Sequence, residues 1–132
     1  MARLKSMIVG GVAFLLSHAL VVFGWASFDP GGRYRPWFLN AGRAVLFTAI
    51  CLLAAAAVEA AIAASTRRDA VVRGANVAAG AVVAMIIVIV AVGPGTLFPI
   101  ALAIGAAIAA ISAVSGALIG WSVRRKPRAG AR

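Results

Sequence analysis

The chain has 132 residues, 64% of them hydrophobic and only 12% charged, with a net charge of +10 and a single cysteine; its mean hydropathy is +1.04. A soluble domain is nearer half apolar and a quarter charged, so these totals leave no room for a separate soluble domain and point to the membrane class. The apolar residues come in long runs rather than in the alternating short segments of a barrel, so the expected fold is an all-α integral membrane protein, a bundle of four transmembrane helices forming one domain over residues 1–132.

Residues 1–6 form a short basic N-terminus, and the first apolar run follows over 7–27. Gly24-Trp25-Ala26 resembles a small-x-small cleavage site, but the apolar stretch up to Phe23 exceeds a usual signal core, and Trp25 is bulky beside a cut. The expectation is an uncleaved helix. Asp29-Pro30-Gly31-Gly32 is turn chemistry in the one substantial loop. Trp25, Tyr34 and Trp37 flank it and, with Trp121 at the far end of the fourth run, read as an interfacial aromatic belt.

The second span is expected over 43–64, with Asn40 as its N-cap. A short basic linker, Ser65 to Arg73, leads to a third span over 74–93. Its second half, Met85 to Val92, is β-branched enough for a strand in water. In lipid the backbone has to satisfy its own hydrogen bonds, so helix is expected. Gly93-Pro94-Gly95-Thr96 makes a tight turn, and the fourth span covers 97–122 with Pro99 in its first turn, before a basic tail over 123–132.

The basic residues are placed unevenly. Ten of the thirteen flank the two termini and the 65–73 linker, and the other three are Arg33, Arg35 and Arg43. By the positive-inside rule both termini are expected on the cytoplasmic side of a bacterial inner membrane. Arg67, Arg68, Arg73, Arg124, Arg125 and Lys126 are expected to meet anionic lipid headgroups rather than nucleic acid.

Close helix packing in lipid needs small residues. Gly105, Ala109 and Ala113, with the offset series Ser112, Gly116 and Gly120, supply them in the fourth span. Cys51, Ala55, Glu59 and Ala63 are expected to do so in the second, and Asn76, Gly80 and Ala84 in the third. These stripes imply contacts within one bundle, with a homo-oligomer or a larger membrane complex as the alternative.

Glu59 is the one acidic residue inside an apolar run, so it is expected to face protein or water. Counted as helix depth, it falls near Asn76, Ser112 and Ser115, with His18 near the middle of the first span. The five residues define an expected intramembrane polar cluster, with His18, Arg67 or Arg73 as the cation that an ionised Glu59 would need. A lone histidine cannot give two axial ligands within one chain, and no metal-ligand spacing, catalytic triad or phosphate loop is present, so no cofactor, metal or enzymatic role is expected. The sequence supports two roles: an accessory or scaffold subunit, or a small oligomeric transporter or channel that uses Glu59 for proton or cation coupling.

Overall fold

The computed structural model describes residues 1–28, 37–93, 95 and 98–125. Four α-helices follow one another: α1 (Ala2–Phe28), α2 (Trp37–Ala63), α3 (Arg67–Val92) and α4 (Phe98–Arg125). All four are long and apolar enough to cross a membrane. At 26 to 28 residues each they are about 40 Å long, more than the ~30 Å thickness of a hydrocarbon core.

The helix bounds correct three expectations. α3 begins at Arg67, not Gly74, so most of the expected linker is helix. The cause is a local cap. Asp69 N–H donates to the hydroxyl of the N-cap Thr66 (3.0 Å), and the Asp69 carboxylate accepts from Ser65 N–H (3.0 Å). Two donors at the helix start are thereby satisfied, as in a capping box. α2 begins at Trp37, which puts Asn40 inside the helix and not at its cap. α1 begins at Ala2, so the basic flank before Met7 is its first turn. At the other end of α3, Gly93 takes a positive φ of 105° while its N–H reaches Ile89 carbonyl (2.9 Å), so the helix closes in a backbone conformation that glycine adopts without strain.

The bundle consists of two antiparallel hairpins laid side by side. In the first, Ser17 of α1 meets Thr48 of α2; in the second, Gly74 of α3 meets Val114 and Ala117 of α4. Stacking the hairpins sets α1 parallel to α3 and α2 parallel to α4. α2 and α3 touch only lightly across the diagonal, and α1 does not touch α4 among the described residues.

Both parallel seams are made by glycine. A Cβ on Gly10 would overlap the carbonyl of Val77, and one on Gly80 would overlap the carbonyl of Met7. Gly116 and Gly120 sit in the same way against the carbonyls of Leu53 and Ala57. Two helix backbones come this close only where no side chain intervenes. The core between them is almost all alanine, with Leu52, Val77 and Phe14 as its larger members. Large side chains such as Leu16, Leu46, Ile87 and Ile111 point outward. This inversion of a soluble protein's order is what a lipid solvent permits, because lipid tails receive leucine as readily as a protein core does.

Candidate functional site

Glu59 lies near the end of α2 where the N-termini of α1 and α3 also gather. Its side chain is 13% exposed. Oε1 accepts a hydrogen bond from the Ser6 hydroxyl of α1 and faces Arg73 Nη1 of α3 at 3.5 Å. Arg73 Nε in turn donates to Asp69 Oδ1 at 3.1 Å. Ser6 is fully buried, and its hydroxyl also lies 3.2 Å from the Ala2 carbonyl. The carboxylate thus joins three helices through one oxygen. Glu59 Oε2 is buried and has no partner among the described residues.

The surroundings of this cluster are polar. A cavity of about 440 Å³ opens beside it, lined by Arg3, Ser6, Thr66, Arg68, Asp69, Arg73 and Asn76 among others. The C-terminus of α2 lies at the same end, and Arg124 of α4 caps it. Its Nη1 donates to the carbonyls of Ile62 and Ala64, both at 3.2 Å. Those acceptors have no intrahelical donor, and the cation also suits the negative end of the helix dipole. Arg125 lies over the Trp121 ring at 4.4 Å. Arg3, Lys5, Arg67, Arg68, Arg73, Arg124 and Arg125 therefore share one end of the bundle, while Arg43 is near the start of α2 at the other.

Of the expected cluster, Glu59 and Asn76 reach this end and the others do not. His18 is twelve residues beyond Ser6 on α1, about 18 Å along the helix, too far to pair with Glu59. Its ring stacks on Phe14 (centroids 4.4 Å apart) and lines a separate apolar cavity of about 450 Å³ to which all four helices contribute. Ser115 faces outward and Ser112 is half-buried; no hydrogen bond joins either to Glu59 among the described residues. Register and helix phase explain this. Gly116 sits against Leu53 and Gly120 against Ala57, so Ser112 and Ser115 stand about two turns or more short of the level of Glu59. Ala109, Ala113, Gly116, Ala117 and Gly120 turn inward and carry Ser115 to the opposite side.

The α2 stripe is also shifted. Thr48, Leu52, Ala56, Ala60 and Ala64 face the core, so Ala55 is only half-buried and Ala63 is exposed. Gly105 abuts the flexible end of Met85, and Ala109 is buried at the wall of the apolar cavity. Trp121 is half-buried, and its Nε1 has no partner among the described residues. Trp25 and Trp37 fall at the ends of α1 and α2 that flank the long loop. Tyr34 and Lys126 lie outside the described residues.

Ser6 and Asp69 carry the site and were not expected in it. The signal for Ser6 was legible: Ser6, Gly10, Ala13 and Ser17 form a small-residue row at helical spacing that runs out of the apolar run into its basic flank. Among the described residues there is no group of histidine, cysteine and acidic side chains able to hold a metal. Searches for matching protein families, curated relatives and solved structures find no match to this chain.

Proposed function

We propose that this is a small four-span protein of a bacterial cytoplasmic membrane, with both termini cytoplasmic, that acts without catalysis as an accessory or scaffold subunit, packed against itself or a larger membrane complex. The observation that carries this reading is the engagement of Glu59. Its Oε1 is held by Ser6 of α1 and Arg73 of α3, so the side chain serves as a tie between helix ends. Beyond that point the described interior is mostly alanine and glycine, and its buried Ser17–Thr48 pair is bonded within the bundle about 16 Å along α1 from Ser6. Inward-facing small residues and outward-facing large ones suit a compact body bathed in lipid.

A second reading has one observation in its favour. Glu59 Oε2 is buried without a partner among the described residues, close to a polar cavity, an arrangement that a proton- or cation-coupled transporter would use. The two roles separate on Glu59→Gln. Pull-down in mild detergent followed by mass spectrometry should recover the same partners, or the same oligomer, from the variant as from the wild type if the carboxylate is a tie. A variant that assembles normally but abolishes proton-linked flux in reconstituted vesicles would overturn the scaffold assignment in favour of transport.

A further inference from the structure

We infer that the cavity between the N-terminal ends of α1 and α3 binds the phosphodiester of one anionic phospholipid headgroup, gripped by Arg3 and Arg68. The inference rests on the membrane placement proposed above but not on the scaffold role.

At the basic end, Arg73 is paired with Asp69 and Glu59, Arg124 donates to the α2 carbonyls, and Arg125 lies on Trp121. Arg3 and Arg68 form no ion pair among the described residues, and they line the same cavity of about 440 Å³ from two different helices. Parallel packing of α1 on α3, enforced by the Gly10–Val77 and Gly80–Met7 contacts, brings these two helix starts together. Thr66 and Asn76 add hydrogen-bonding groups to the wall.

Charge decides the ligand. Three guanidiniums and the Asp69 carboxylate line the cavity, and the Glu59 carboxylate stands behind Arg73. With both carboxylates ionised, the balance is one positive charge, which matches a monoanionic phosphodiester. Guanidinium is the side chain best shaped for phosphate oxygens. The cavity also sits at the depth where headgroups lie, since the helices outrun the hydrocarbon core at this end. Basic pockets between helix ends are where anionic lipids bind in multi-span proteins. A phosphodiester anchored by acyl chains and a free phosphate would share this chemistry, and the lipid is favoured because an exposed apolar side chain, Val72 of α3, is part of the cavity wall.

The test is native mass spectrometry of the whole chain in mild detergent, titrated with phosphatidylglycerol or with diacylglycerol, which lacks the phosphodiester. One phosphatidylglycerol should be retained and no diacylglycerol. Arg3→Gln and Arg68→Gln should each weaken retention about fivefold, the effect expected of losing one arginine near a headgroup. Arg125→Gln serves as a control of equal charge change at the same end and should weaken it less than about twofold. Equal losses in all three variants would mean a diffuse basic surface and would overturn the site. Displacement of the lipid by millimolar inorganic phosphate would assign the cavity to a soluble ligand and overturn the lipid assignment. Unchanged helicity and unchanged membrane fractionation of the variants would show that any loss belongs to this site and not to the four-span placement itself.

Discussion

Gly116→Ala adds one methyl group at the seam between α2 and α4, and the geometry says what it meets. The new Cβ would overlap the Leu53 carbonyl oxygen and lie 2.8 Å from its carbon and 2.9 Å from its Cα. Ordinary contact begins at 3.4 Å, so the axes have to part by at least the 0.6 Å difference between these two distances. None of the three atoms belongs to a flexible side chain, and Gly120 is held against Ala57 in the same way one turn on. A gap of 0.5–1 Å forfeits about a quarter to a half of the dispersion attraction of the atoms it separates, and overpacking of this kind costs about 1–3 kcal/mol. We expect a loss of about 2 kcal/mol for Gly116→Ala. Two glycines calibrate the result. Gly105 would meet only the Sδ and Cε end of Met85, which can turn aside, and Gly42 has nothing within 4 Å. Gly105→Ala should cost less than about 1 kcal/mol, and Gly42→Ala should lie within about 0.5 kcal/mol of wild type. The assay is reversible unfolding in mixed detergent micelles, followed by far-ultraviolet circular dichroism. Equal midpoints for Gly116→Ala and Gly42→Ala would refute the close backbone contact between α2 and α4.

Three further outcomes are expected. Cysteines introduced at Gly32 and Gly130, with Cys51 replaced by alanine, should react with an impermeant reagent from opposite sides of the membrane; reaction from the same side would remove the four-span topology. Glu59→Gln should keep near wild-type stability, because the amide can still accept from Ser6 while Arg73 retains Asp69, whereas Glu59→Leu should cost about 1–2 kcal/mol, the scale of polar contacts between membrane helices; equal stability of both variants in the same micelle assay would show that the carboxylate ties nothing. The hydrogen bond from Ser65 N–H, aided by Arg73, holds the Asp69 carboxyl below its ordinary value of 3.8, so its stabilisation is present above about pH 4 and fades as pH falls through the lower folded-state value. The Asp69→Asn variant should show no such loss in an acid titration of α3 helicity, and a wild-type curve parallel to it would count against the cap.

How much of this was legible beforehand depends on which force set each feature. The number of helices and their approximate limits were readable because a spanning backbone has to bond to itself, so hydropathy alone dictates helix. Gly116 and Gly120 were readable as packing positions because glycine every fourth residue has few other uses in an apolar helix. The facing of α2 was not. Its residues 54–57 are all alanine, with more at 60, 61, 63 and 64, so every face looks small and the row through Ala55, Glu59 and Ala63 was indistinguishable from the row one residue later. Only the fit against Gly116 and Gly120 of α4 selected Leu52, Ala56 and Ala60 as the buried row.

The sequence by itself determined that Glu59 needed partners, because a carboxylate in an apolar run has no solvent to turn to. It left the cation open between Arg67, Arg73 and His18, and it did not point to Ser6. Ser6 and Arg73 both lie outside the apolar runs, in flanks that composition alone assigns to water. The Thr66 cap and the first turn of α1 carry the helices through those flanks. The parallel seam of α1 on α3 then sets both side chains against the end of α2. That pairing joins residues more than fifty positions apart for Ser6 and Glu59, and it is fixed by the height at which three helices stack, a quantity that exists only once the bundle is assembled.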